Sequence, residues 1–153
     1  MSDLTALYHD LIFDHSQNPK CFRTPKNIVQ KHESFNPLCG DKVCLFYDGQ
    51  NYTFEGKGCA MSMASASLLL EHIANHAHTN PLTFLADLFQ MLDGTLADDK
   101  KRSLGKLQVL ETVKHYPSRV KCVTLSWHAL RELILKGGAD VSSEHSSCDC
   151  PHP

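Results

Sequence analysis

An excess of charge of either sign is missing from this 153-residue chain, in which 15 Lys+Arg stand against 17 Asp+Glu for a formal net charge of −2. With no basic footprint and no local basic patch visible in the sequence, neither nucleic acid nor an anionic membrane surface is expected as a partner. Long apolar runs are missing too. The strongest, Ala64 to Leu70, falls far short of the roughly 20 residues that span a bilayer. The start, Met1-Ser2-Asp3-Leu4, has no basic segment followed by an apolar one. No secretory leader is therefore expected, and the expected compartment is the cytoplasm. No internal repeat is visible. A chain of this length typically buries about two-thirds of its unfolded surface. Residues 1–138 are expected to form a single domain, and 139–153 a polar, disordered tail containing Cys and His.

What the chain does have is cysteine, seven residues in all. In a reducing compartment an odd, unevenly spaced set fits a disulfide framework poorly. Buried, inert packing is the ordinary fate of a cysteine, so the neighbours of each one must decide.

The hydrophobic pattern supplies the frame. Leu4, Leu7, Tyr8, Leu11 and Ile12 recur at helical spacing, with Ser2 as N-cap and Asn18-Pro19 as stop. Imperfect alternation over 27–35 predicts an edge strand. Lys42–Tyr47 and Tyr52–Glu55 are better strands, joined by Asp48-Gly49-Gln50-Asn51 as a hairpin. The period then changes. A helix is predicted over 60–77 with Met63, Ser67, Leu70 and Ala74 as its stripe, and a second from Asn80-Pro81 to Asp93-Gly94. A polar connector over 95–102, a helix over 104–113 and a final helix over 119–135, closed by Gly137-Gly138, complete the reading. The order predicts an α+β two-layer sandwich: a small three-stranded antiparallel sheet packed against several helices, with the other sheet face partly open.

Three cysteines stand in settings that could carry chemistry. Cys39 lies in Asn36-Pro37-Leu38-Cys39-Gly40-Asp41, a bend between turn formers, where thiol and Asp41 carboxylate can reach one metal ion. Cys59, in Gly56-Lys57-Gly58-Cys59, begins a helix, and unpaired N–H groups with the helix dipole favour its thiolate. Cys122 is expected in the first turn of the last helix, with Arg119 and Lys121 adding positive charge. Together with Asp41 these would supply three sulfurs and one oxygen, enough for a tetrahedral zinc site. The separations, 20 residues from Cys39 to Cys59 and 63 from there to Cys122, are too long for a zinc-finger knuckle. Convergence has to come from the fold.

Asn36-Pro37-x-Cys39-Gly40-Asp41, Gly56-x-Gly58-Cys59-x-x-Ser62-x-Ala64-Ser65-x-Ser67 and Pro117-x-Arg119-x-Lys121-Cys122 resemble the three cysteine motifs of the U-type iron-sulfur assembly proteins, the IscU/NifU/SufU family. Tyr8, Asp14-His15 and Asn18-Pro19 resemble the family's N-terminal helix and turn, so the match runs over about 4–135. It implies the SufE/NifU-like, IscU-like fold. IscU-type scaffolds usually carry a histidine before the third cysteine and a short connection from the second motif. This chain has Lys121 there and a longer connection, and so resembles the SufU branch.

That branch implies a zinc protein with Cys39, Asp41, Cys59 and Cys122 as ligands. Cys39 would accept persulfide sulfur from a PLP-dependent cysteine desulfurase of SufS type and hand it to downstream iron-sulfur assembly machinery. A partner residue, which the resemblance suggests is a histidine, would take the place of Cys39 on the metal. Arg119 is the residue expected to stabilise the thiolate or engage the partner. No independent small-molecule turnover is expected. Two alternatives share the ligands: a scaffold holding iron or a [2Fe-2S] cluster, and a structural zinc module that binds another protein. Of the other cysteines, Cys44 is expected in the core and Cys21 as a free surface thiol. The tail Cys148-Asp149-Cys150-Pro151-His152, with His145 nearby, has the composition of a short metal-binding tract. His72, His76 and His78 are expected on a solvated helix face, and His115 and His128 lie near the third motif.

Overall fold

A computed structural model describes residues 2–38, 40–76 and 80–136 of the chain. Helix α1 (Ser2–Gln17) is followed by strands β1 (Gln30–Asn36), β2 (Asp41–Tyr47) and β3 (Tyr52–Lys57). Then come helices α2 (Ala60–Asn75), α3 (Pro81–Asp93) and α4 (Asp98–Ser103), a 3-10 helix (Gly105–His115) and α5 (Pro117–Leu135). The three strands form one antiparallel sheet in the order β1-β2-β3. This is the α+β arrangement expected from the sequence. No helix among the described residues is long and apolar enough to cross a membrane.

Local chemistry sets the boundaries. Asp48 caps the hairpin turn by accepting from the backbone N–H groups of Gln50 (2.9 Å) and Asn51 (2.7 Å). Asn80 caps α3 through Leu82 N–H at 2.9 Å, with Pro81 in the first turn where its missing N–H costs nothing. Gly94 ends that helix at φ 80°, a left-handed conformation suited to glycine.

The core joins Val43, Leu45 and Phe54 of the sheet to Leu68 and Leu69 of α2, Leu88 of α3 and Trp127 and Leu130 of α5. Three expectations change. Helix α2 has no single apolar stripe: Ser62 and every residue from Ala64 to Leu70 are buried, whereas Ala74 is exposed. The helix lies between α1, α5 and the sheet, so all its sides are covered. The polar connector folds into α4, with Asp98 and Asp99 in its first turn and Lys100, Lys101 and Arg102 in its last, charges that complement the helix dipole. The far face of the sheet is not open at its centre, because Cys44, Phe46, Thr53 and Glu55 are at most 4% exposed.

Candidate metal centre

Two strand-end turns and a helix flank build the site. Asp41 opens β2 and is buried; Cys59 is the N-cap of α2 and is exposed; Cys122 stands in α5 and is half-buried. Their two Sγ atoms and a carboxylate oxygen all lie within 4.8 Å of one another. Ligand atoms on one tetrahedral zinc sit about 3.5–3.8 Å apart, given metal–sulfur distances near 2.3 Å. Small side-chain rotations therefore suffice for this donor set to hold such an ion, and two sulfurs suit zinc or iron better than a hard cation.

The carboxylate is held from two sides. Asp41 Oδ1 accepts from the backbone N–H of Cys59 at 3.1 Å, and Oδ2 accepts from the Ser62 hydroxyl at 2.5 Å. Burying a carboxylate without such donors would be costly. Ser62 Oγ also lies 3.6 Å from Cys59 Sγ and 3.3 Å from the Cys122 carbonyl, so one hydroxyl touches all three elements. One turn further on, Ser65 donates to the Val123 carbonyl at 2.7 Å and ties α2 to α5 beside Cys122.

Glycine makes the approach possible. A Cβ on Gly58 would stand 2.7 Å from Asp41 Cγ, and one on Gly56 would collide with the Lys42 carbonyl. Gly40, at φ 77°, turns the chain into β2, and its N–H donates to the Asn36 carbonyl at 2.8 Å.

Of the four ligands expected from the sequence, Asp41, Cys59 and Cys122 come together. Cys39 lies outside the described residues. Cys122 departs from expectation in one respect: α5 begins at Pro117, which places the thiol in the second turn instead of the first. The helix-terminus effect falls off within one turn, which leaves Cys122 beyond its reach. Arg119 is exposed one turn before Cys122, with its guanidinium 5.2 Å from the Tyr116 ring centroid. Both line a cleft of about 500 Å³ with Tyr8, His9, Glu111 and His115. On another side, the exposed side chains of Phe35 and Leu38 share a groove with Lys121 and His128.

A model of the family described as the NifU-like N-terminal domain matches residues 7–123. The chain belongs to this family. Within curated NifU-like relatives, it is 34% identical over 143 residues to the zinc-dependent sulfurtransferase SufU of Bacillus subtilis, covering 88% of this chain and 94% of that protein. It is 32% identical over 139 residues to the iron-sulfur cluster assembly scaffold protein IscU of Streptococcus pyogenes, covering 88% of this chain and 86% of that protein. Among solved structures, it matches FiSufU, a candidate iron-sulfur cluster assembly scaffold protein for the SUF system of Fervidobacterium islandicum. That match has a TM-score of 0.71 at 32% identity and covers 84% of this chain and 97% of that one.

Other residues of this NifU-like chain fall away from the site. His15 is buried, with Nδ1 2.6 Å from Ser67 Oγ, and burial lowers its pKa. The same Ser67 hydroxyl accepts from the backbone N–H of Lys20 at 2.7 Å, fixing the turn after α1. His72 is not on a solvated face: its ring stacks 4.0 Å from His76 and 4.2 Å from Phe84, and burial first, then His76, lowers its pKa to about 4. His78 lies outside the described residues. Cys21 is free, as expected, but packs half-buried against the core at φ 61°, and burial raises its pKa. Ser62 and Ser65 are the residues whose roles sequence reasoning missed. Their signal was hydroxyls on a small-residue helix face just after Cys59.

Proposed function

We propose that this chain is a zinc-dependent sulfur-transfer protein that accepts sulfur on Cys39 from a PLP-dependent cysteine desulfurase of SufS type. The observation that carries the reading is the convergence of Asp41, Cys59 and Cys122 from three separate elements. Its kinship with a relative named as a zinc-dependent sulfurtransferase supports it. Cys39, one residue before the Gly40 turn that leads into Asp41, completes the ligand set. Zinc, when bound, keeps its thiol ligands deprotonated at neutral pH.

The rest is work for the chain's own residues. Ser62 and the Cys59 amide hold the Asp41 carboxylate in place. Cys39 stands between the turn formers Pro37 and Gly40 in the sequence, so its release from a metal need not unwind a helix. Its thiolate attacks the outer sulfur of the desulfurase's persulfide; the S–S bond breaks, the partner's cysteine leaves as a thiolate, and Cys39 carries the persulfide. Arg119, exposed beside the cleft, engages the partner or stabilises the thiolate, and exposed Phe35 and Leu38 offer apolar contact next to the turn. The sulfur passes to downstream iron-sulfur assembly machinery in the cytoplasm. The chain performs no small-molecule turnover alone. Residues 1–138 form the working domain.

The test is desulfurase turnover with and without this protein, zinc-loaded and stripped. Zinc-loaded protein stimulates turnover at least tenfold, while Cys39→Ser and Cys59→Ala lose the stimulation and Cys59→Ala also loses zinc. Stimulation that survives Cys39→Ser would sink the acceptor assignment. A relative named as an IscU scaffold favours one competing reading, a [2Fe-2S] scaffold. Anaerobic reconstitution that yields a stable cluster, with no stimulation of the desulfurase, decides for that reading.

A further inference from the structure

The cleft beside the metal centre holds more positive charge than its own walls neutralise. Among the described residues that line it, Glu111 is the one carboxylate, and its Oε2 is already met by the ammonium groups of Lys101 at 2.9 Å and Lys114 at 3.4 Å. Arg119 has no carboxylate partner among the described residues. Its guanidinium lies instead over the Tyr116 ring, 5.2 Å from the centroid. Contact with a ring face restrains the side chain but uses none of its N–H donors, so the planar fork stays open to a two-oxygen acceptor. A carboxylate has that geometry. No acid stands in the first turn of α5 to compete for it.

Size and shape narrow the ligand further. About 500 Å³ is the volume of a small-molecule site, and the rings of Tyr8 and Tyr116 give it flat, largely apolar walls. Together these features describe an organic molecule with a carboxylate, not a bare inorganic ion. Position says what such a molecule can do. The Tyr8 hydroxyl donates to Met61 Sδ at 3.6 Å, two residues after Cys59. Arg119 stands three residues before Cys122 on α5, a rise of about 4.5 Å. The cleft thus borders both helices that carry the described thiols of the metal centre.

We propose that this cleft binds a small thiol bearing carboxylates, the chemical class of glutathione, and that this thiol takes the sulfur from the protein. The inference rests on the sulfur-transfer reading above and names the class of the next acceptor. Arg119 grips a carboxylate while the tyrosine walls hold the body of the molecule. The bound thiol ionises and attacks the outer sulfur of the protein's persulfide. That S–S bond breaks, the protein cysteine leaves as a thiolate, and the small molecule departs as a persulfide. The proton lost by the thiol balances the one the cysteine regains, and no oxidant or reductant is consumed. The small persulfide is then the carrier between this chain and the assembly machinery.

Binding is tested on the zinc-loaded, full-length protein with S-methylglutathione, a thioether that cannot accept sulfur, by isothermal titration calorimetry. Saturable binding is expected, weakened about tenfold or more when the carboxylates of the probe are esterified. Thr112→Glu, which sets a second carboxylate in the exposed wall of the cleft, is expected to weaken it as much, with zinc content and circular dichroism unchanged. His115→Glu, at another exposed wall position, repeats the test independently. Absence of binding, or binding indifferent to esterification or to the added carboxylates, overturns the proposal. Transfer is tested with protein charged with radiolabelled sulfur by a cysteine desulfurase. Label is expected to pass to glutathione from the wild type and about tenfold more slowly from Thr112→Glu, although both charge equally. Equal transfer from the two overturns this proposal and leaves the sulfur-transfer reading standing. Wild-type protein that the desulfurase cannot charge overturns that reading and the acceptor role with it, while the calorimetry still decides whether the cleft is a site.

Discussion

The Ser62 hydroxyl illustrates how much of the site rests on residues that are not ligands. It donates to Asp41 Oδ2 at 2.5 Å while lying against Cys59 Sγ and the Cys122 carbonyl. Outer groups of this kind orient metal ligands, and losing one typically costs 10- to 100-fold in affinity. Ser62→Ala is therefore expected to weaken zinc binding by about tenfold or more, measured by competition with a chromogenic chelator, while the circular dichroism spectrum stays unchanged. Unchanged affinity would show that the Ser62 hydroxyl is not needed to position the carboxylate. Gly58 belongs to the same scale. Its missing Cβ lets α2 start against Asp41, and any side chain there would push the carboxylate aside.

At the scale of elements, α2 explains why periodicity misled. A helix covered on one side shows a stripe, but one covered on all sides does not. Here the small residues Ala64, Ser65, Ala66 and Ser67 let α1 and α5 approach closely, and the two serines bond across to His15 and Val123. The end of the helix carries a titrating group. His72 has a folded pKa of about 4, below its ordinary 6.5, chiefly because its half-buried ring is partly desolvated. As pH falls, the unfolded chain takes up this proton first, so the stability tied to neutral His72 is complete above about pH 6.5 and is lost as pH falls toward 4. His72→Phe keeps a ring between His76 and Phe84 and removes the proton. Its melting temperature is expected to fall less steeply than the wild type's between pH 6.5 and 4.5, as read by thermal denaturation. Parallel profiles would assign the acid sensitivity to the other histidines whose pKa burial lowers, His15, His32 and His128.

The whole molecule is joined at the proposed metal site, since Asp41, Cys59 and Cys122 come from β2, the start of α2 and α5. A metal bound only by the native arrangement stabilises it by mass action, about 4 kcal/mol at a thousandfold excess over Kd. For a chain of this size that corresponds to roughly 8–16 °C in Tm. Chelation should lower Tm by that much and zinc re-addition should restore it, as followed by circular dichroism. A Tm indifferent to both would mean that the three elements are held without metal.

Where local chemistry suffices, the sequence was enough. Asp48-Gly49-Gln50-Asn51 specifies a hairpin turn, Asn80-Pro81 a helix start and Gly94 a helix end, because each acts on backbone within a few residues of itself. The three ordered cysteine motifs likewise marked the family. Tertiary structure decided what depends on distant partners: the meeting of Asp41, Cys59 and Cys122, the place of Cys122 in the second turn of α5, the 3-10 form of Gly105–His115, and the burial of Cys44 and Phe46. The physical reason is separation along the chain. A cap or turn is fixed by neighbours in sequence, whereas burial and convergence are fixed by residues dozens of positions away that only packing brings together.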